Sequence, residues 1–265
     1  MTYRTLAITR FENHPGVAEL RLTRPEVMNR FDAAMHVELT EAMASLADDP
    51  SVLAVLLTAE GKFFSAGGDT ELMLSAAADP TRRMQLIDEG RRLFYAFADF
   101  TKPLVVALHG DTYGLGATVV LLGDAVVTAP DVKIADTHVR MALVAGDGGA
   151  VVWPANMPLA RAKRHLLTGD PMTGADAHAL GIVSDLVASR DEVYDAALAL
   201  AVRLAELPPL AVQYTKRALN RHLALRGNEV LDLAFYLEGA TMTSQDMLEA
   251  IDAFKNKRPP KFTGR

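Results

Sequence analysis

The chain has 265 residues, half of them apolar, which is enough to bury one large core with an appended helical region rather than two unrelated domains. Acidic residues outnumber basic ones, 33 to 27, and no run of lysine and arginine exceeds a few positions, so the electrostatic footprint of a nucleic-acid binder is missing. There is no cysteine, which excludes disulfides, thiolate metal sites and a cysteine nucleophile and suits a reducing compartment.

From Met1 to Phe11 polar residues recur every few positions, without the apolar core and small-residue cleavage site of a secretory signal. The longest apolar run, Leu115 to Val127, is broken by Gly116, Gly123 and Asp124 and is too short for a membrane span. A soluble, cytoplasmic protein is expected.

Thr5 to Leu22 reads as a hairpin, with Ala18, Leu20 and Leu22 alternating against Glu19 and Arg21 after a turn signal at Pro15-Gly16. Asp32 is placed to cap a helix running to about Ala47, whose Met35, Leu39, Met43 and Leu46 recur at helical spacing before Pro50. Val52 to Leu57 and Leu104 to Leu108 are short unbroken apolar runs, the pattern of strands buried on both faces. Between them Arg83 to Phe100 is an amphipathic helix with Met84, Ile87, Phe94, Phe97 and Phe100 near one side. Leu115 to Leu122 follows as an apolar helix, then Ala125 to Thr128 and Lys133 to Ala135 as short strands. Strand, glycine loop and helix recur in that order, which predicts a layered α/β core with a parallel sheet. From Asp191 onward only helical patterns remain: Asp191 to Glu206, Leu210 to Leu225, Glu229 to Met242 and Gln245 to Lys255, parted by Pro208-Pro209 and Gly227, with an irregular tail from Lys257. The expected division is a core over residues 1–190 and a helical region over 191–265.

Two glycine loops follow buried strands. The first is Lys62-Phe63-Phe64-Ser65-Ala66-Gly67-Gly68-Asp69 and the second spans Gly110 to Gly116. Small residues there let a ligand approach the main chain, and N–H groups at helix starts point outward with partial positive charge. Converging from successive layers, the loops would present two donors to one carbonyl oxygen; ordinary tight turns are the alternative.

The strings LTRPEVMNRFD, FFSAGGDTELM, HGDTYGLGATVVLLGDAVV and AFKNKRPPKF, in that order between Leu6 and Phe262, resemble the crotonase, or enoyl-CoA hydratase/isomerase, family. The resemblance implies an α/β spiral of ββα units with a C-terminal helical trimerisation region, in trimers that often pair into hexamers. It implies an acyl thioester of coenzyme A as substrate, no prosthetic group or metal, and neither nucleic acid nor membrane as partner. The family's oxyanion hole falls on the N–H groups of Gly68 and Leu115. Its nucleotide site falls on the main chain around Val27 and Met28, on Ala66, Gly67 and Gly68, and on Phe254 with Lys257 from a neighbouring subunit. Arg24 and Arg258 are candidate assistants, with a solvated basic surface as the other reading.

The two carboxylates with which the family hydrates enoyl thioesters are replaced, the first by Thr118 and the second by His138. The proton carriers left near the predicted pocket are His138 and Asp147: an imidazole titrates near neutrality, and a carboxylate can orient it and stabilise its cation. His138, Asp147, the following Gly148, Val151-Val152-Trp153-Pro154 and Glu238 are similar to oxocamphor hydrolase, a relative that hydrolyses a carbon–carbon bond of a β-diketone. His109 reads as a satisfied core histidine, and Asp69 as a loop-holding residue. Three functions stay open: a lyase or isomerase of enoyl-CoA type, a retro-Claisen hydrolase, and a non-catalytic acyl-CoA-binding homologue.

Overall fold

The structure, a computed structural model, describes residues 2–265; Met1 lies outside the described residues. A long sheet carries β1 (Leu6–Phe11), β2 (His14–Leu22), β3 (Ala54–Ala59), β5 (Leu104–Leu108), β7 (Ala125–Thr128) and β10 (Asp185–Leu186) in that spatial order. A second sheet of short strands carries β4 (Phe63–Ser65), β6 (Asp111–Tyr113), β8 (Lys133–Ala135) and β9 (Met172–Thr173). Each turn of the chain adds one long-sheet strand, one short-sheet strand and then a helix. Thus β3 and β4 lead to α2 (Thr70–Ala78) and α3 (Pro80–Ala98), β5 and β6 to α4 (Leu115–Leu121), and β7 and β8 to α5 (Gly149–Asn156) and α6 (Leu159–Thr168). This is the spiral of ββα units, and all pairings from β2 through β7 in the long sheet are parallel. The unbroken apolar runs are explained by burial on both faces: every residue of β5, and all of β3 but its last, is buried.

Asp32 caps α1 (Ala33–Asp48), its carboxylate accepting from Met35 N–H at 2.9 Å, and the helix buries Met35, Leu39, Met43 and Leu46. Helix α7 (Gly174–Ala179) leads to β10, after which α8 (Val193–Ala205) lies on the long sheet through Val193, Ala197 and Ala201. Helices α9 (Pro209–Thr241) and α10 (Gln245–Lys255) close the chain. No helix among the described residues is long and apolar enough to cross a membrane.

Three local expectations are corrected. The hairpin turns at Glu12-Asn13, and Pro15-Gly16 lies inside β2 where the register with β1 slips; proline has no N–H and fits only where the ladder is interrupted. Met84 is 64 % exposed, whereas Phe94 and Phe97 are buried, so α3 turns a narrower stripe inward than the sequence implied. Gly227 does not break the late helix: α9 runs unbroken through it, and a Cβ there would stand 3.1 Å from Phe94, so the glycine serves the approach of α9 to α3.

Helix α9 is pinned to the core by Lys216. Its ammonium donates to Asp124 at 2.6 Å and to the Lys102 carbonyl at 2.8 Å and lies 5.0 Å from the centre of the Phe100 ring. Asp124 also accepts from Leu104 N–H at the head of β5. Removing Asp124 strands a buried ammonium, whereas removing the ammonium leaves a carboxylate that is partly exposed to water and still bonded to Leu104 N–H. Asp124→Ala is therefore expected to destabilise the fold by about 3 kcal/mol, and Lys216→Met by clearly less, measured by chemical denaturation.

Candidate active site

Gly68 and Leu115 are brought together by stitching between loops distant in sequence. Ala66 N–H donates to the Met28 carbonyl at 2.9 Å, Ser65 Oγ to the Asn29 carbonyl at 2.9 Å, and Asn29 Nδ2 to the Glu60 carbonyl at 2.9 Å. Phe31 N–H donates to the Gly67 carbonyl and Asp69 N–H to the Phe31 carbonyl, leaving the intervening Gly68 N–H without an acceptor among the described residues. Asp69 caps α2 through the N–H groups of Glu71 and Leu72 and stands 2.6 Å from the Arg30 guanidinium. It holds its loop, as expected of it.

The second loop is anchored by Gly114 N–H on the Ala135 carbonyl, and Leu115 opens α4 with its own N–H unpartnered among the described residues. The loops touch. Gly67, at φ +84°, would drive a Cβ to 2.7 Å from the Tyr113 carbonyl oxygen; Gly114, at φ +51°, would place one 3.8 Å from Gly67 Cα and 3.6 Å from His138 Cε1. Glycine is required at both positions by conformation, and at Gly67 by space as well.

Beside these loops His138 begins a 3₁₀ turn, His138–Met141, immediately after β8. Its Nδ1 lies 2.7 Å from Asp136 Oδ1 and its Nε2 3.0 Å from Asp147 Oδ2, with Thr118 Oγ1 donating to the other Asp147 oxygen at 3.4 Å. Asp136 also accepts from the His138 main-chain N–H, so one carboxylate fixes both backbone and ring. Burial alone would lower the imidazole's pKa. Attraction first by Asp136 and then by Asp147, with their hydrogen bonds, more than offsets this and holds it well above the ordinary histidine value. The two carboxylates thus favour the protonated ring.

Glu238 reaches the same cavity from α9. Gly146 permits this, since a Cβ there would meet Glu238 at 2.5 Å. Burial, and then the nearby Asp147 charge, push the Glu238 carboxyl up to about 8 against the relief given by His138, so it is largely a neutral acid at pH 7. Gly68, Leu115, His138, Asp147 and Glu238 all line one cavity of about 40 Å³. It adjoins an outer cleft of about 510 Å³ lined by Met28, Ala66, Tyr113, Gly114 and Phe254, with Gly68 and His138 common to both.

The remaining candidates stand differently. Phe254 lies along the cleft of its own chain, where α10 is tied down by an ion pair from Lys255 to Glu71 at 2.6 Å; the resemblance had given this residue to a neighbouring subunit. Lys257 follows with φ +51° and an exposed side chain. Val27 lies in a 3₁₀ turn, Pro25–Val27, and does not line the cleft. Arg24 is engaged with Asp32 and the Arg30 carbonyl, and Arg258 with Glu249 and Asp252, so neither guanidinium is a free charge. His109 Nε2 is paired with the Gly61 carbonyl. Asp136 was missed: it stands two residues before a histidine at a strand end, a proximity visible in the sequence, but only the turn of the chain there brings both groups to bear on one ring.

A family model described as enoyl-CoA hydratase/isomerase matches residues 12–265. The chain belongs to this family. Two curated relatives from Escherichia coli (strain K12) are 31 % identical: 1,2-epoxyphenylacetyl-CoA isomerase, over 94 % of this chain and 96 % of the relative, and 2,3-dehydroadipyl-CoA hydratase, over 93 % and 94 %. Among solved structures, an enoyl-CoA hydratase/isomerase from Mycobacterium paratuberculosis superposes with a TM-score of 0.89 at 32 % identity, covering 95 % of this chain and 99 % of that one. A β-diketone hydrolase from the cyanobacterium Anabaena sp. PCC 7120, bound to (S)-3-oxocyclohexyl acetic acid, superposes at 0.83 with 26 % identity, covering 91 % and 95 %. The family's fold is the one described above.

Two outcomes follow from the electrostatics. Asp136→Asn removes the largest source of attraction for the ring's cation, so the His138 pKa is expected to fall, read from its ring resonances in an NMR titration. Glu238 binds a proton in the fold that the unfolded chain releases above about pH 4.5, so stability conferred below that pH is lost as pH rises toward about 8. In Glu238→Gln this slope should disappear, making the variant the more stable at pH 8 in paired denaturation curves.

Proposed function

We propose that this protein binds an acyl thioester of coenzyme A and stabilises the derived enolate oxygen with the N–H groups of Gly68 and Leu115, while His138 and Asp147 move the proton. The observation that carries this is the meeting, in one buried cavity, of two N–H groups without acceptors and a hydrogen-bonded imidazole–carboxylate pair. The printed names of the curated relatives are those of enzymes acting on CoA thioesters, and the outer cleft of about 510 Å³ adjoins the cavity where a thioester would react. Backbone donors require no particular side chain, so leucine at position 115 serves as well as glycine.

In hydration of an enoyl thioester, water oxygen bonds to the β-carbon as the electron pair moves onto the thioester oxygen. Asp147 takes the water's proton and delivers it to the α-carbon, which regenerates the carboxylate, while the His138 ring 3.0 Å away orients it and stabilises its charge. Thr118 and His138 stand where the family's two glutamates would be, so this pair takes over the work of both. Thr118 keeps a part by donating to Asp147.

The combination of His138, Asp147 and Glu238 in one cavity, with the likeness to a β-diketone hydrolase, favours a second reading. There water attacks one carbonyl of a 1,3-dicarbonyl unit, the bond to the central carbon breaks, and its electron pair enters the same enolate before protonation. Both reactions need the same hole and differ in where water attacks.

Purified protein assayed on crotonyl-CoA and on a cyclic 1,3-diketone separates the readings. Turnover of the thioester is expected, with His138→Ala and Asp147→Asn each lowering kcat about 100-fold or more. Turnover of the diketone alone favours the second reading, and tight acyl-CoA binding without turnover of either leaves a non-catalytic binding protein.

A further inference from the structure

On α1 a second buried histidine, His36, lines the cavity and takes no part in the proton chemistry above. Its Nδ1 lies 2.9 Å from the Asp32 carbonyl oxygen. A carbonyl only accepts, so Nδ1 carries the hydrogen and Nε2 presents a lone pair. Nε2 has no partner among the described residues and is not sealed from the cavity. The ring is wedged edge-on against Phe31, with centroids 5.8 Å apart, so its orientation is fixed. Burial lowers its pKa, against the opposing effect of the Asp32 bond, which keeps it a neutral acceptor.

Around it the wall is apolar: Phe31, Leu72, Met73, Ile87 and Phe235. The polar neighbour Asp69 is committed to Arg30 and to the start of α2. A wall of this kind accepts a hydrocarbon chain; the Glu238 carboxyl in the same cavity also lacks a side-chain partner among the described residues, but it comes from α9 beside Gly146, and an unpaired acceptor in the wall on the α1 side discriminates among chains, because a ligand that covers it without a donor leaves it desolvated and unpaired. A carboxylate would bring a second acceptor and is disfavoured.

We propose that His36 Nε2 is a specificity-determining acceptor and that the acyl group of the substrate carries a hydroxyl, or another neutral hydrogen-bond donor, that bonds to it. This rests on the CoA-thioester reading of the site and goes beyond it by naming the acyl class.

The test is calorimetric binding of saturated short-chain acyl-CoA thioesters bearing a hydroxyl at successive carbons, each against its unsubstituted parent. For the wild type one positional isomer should bind about tenfold tighter than its parent. In His36→Phe that ratio should fall to near one while the parent binds as well or better; His36→Gln, which keeps a side-chain acceptor, should retain part of it. If the phenylalanine variant does not fold, His36→Leu replaces it. Acyl-CoA binding with no hydroxyl preference at any position, or a preference that survives removal of the imidazole, overturns the assignment of His36 alone. Failure of every thioester to bind overturns the CoA reading and this inference with it.

Discussion

The imidazole of His138 is buried between two carboxylates, Asp136 at Nδ1 and Asp147 at Nε2, and a cation in that place is tolerable only because both ring nitrogens face an anionic acceptor. Much of the local architecture serves this arrangement. Strand β8 ends at Ala135 so that Asp136 can turn back onto the ring and the backbone of His138. The Gly146 to Gly149 segment delivers Asp147 to the other side, and Gly146 is bare because Glu238 comes in against it. The same charge relieves the Glu238 carboxyl, which would otherwise be still harder to ionise. The three acidic groups and one base are therefore coupled, and a change at any of them moves the protonation of the others.

The two glycine loops impose a second constraint of a different kind. They approach so closely that Gly67 has no room for a side chain, Gly114 needs glycine for its positive φ, and the N–H groups of Gly68 and Leu115 are left without acceptors among the described residues. Unpaired main-chain donors are costly in a buried place, and under the proposed function the two in this cavity are kept for the thioester oxygen. Stitching by Asn29, Ser65 and the Phe31–Gly68 bridge makes the donors rigid, which is what electrostatic stabilisation of a transient charge requires.

The cavity thus has two ends of unlike character. Charged and proton-bearing groups gather at His138, while the wall on the α1 and α2 side is hydrocarbon interrupted by the lone pair of His36. Under the two proposals above, reaction type and substrate choice are divided between these ends, and a substitution at one end need not disturb the other. In His36 and His138 one chemical group is pushed in two directions: burial lowers the pKa of the first against its bond to a carbonyl, and two carboxylates raise that of the second against burial.

Apolar periodicity and the caps made β3, β5, α1 and α4 legible, because burial on both strand faces and the loss of a helix's first N–H partners leave direct marks on residue order. The family strings likewise point to Gly68, Leu115, His138, Asp147 and Glu238, which line one cavity. The short strands β4, β6, β9 and β10 left little trace, since two or three residues carry no period. Gly227 and Pro15-Gly16 misled because their roles are set by what lies opposite them, Phe94 and the slipped β1 register. Asp136 and His36 could not be told from ordinary polar residues in the sequence. An imidazole's charge depends on which atoms face its two nitrogens, and those are fixed only when α1, β8 and the Asp147 loop close on one cavity.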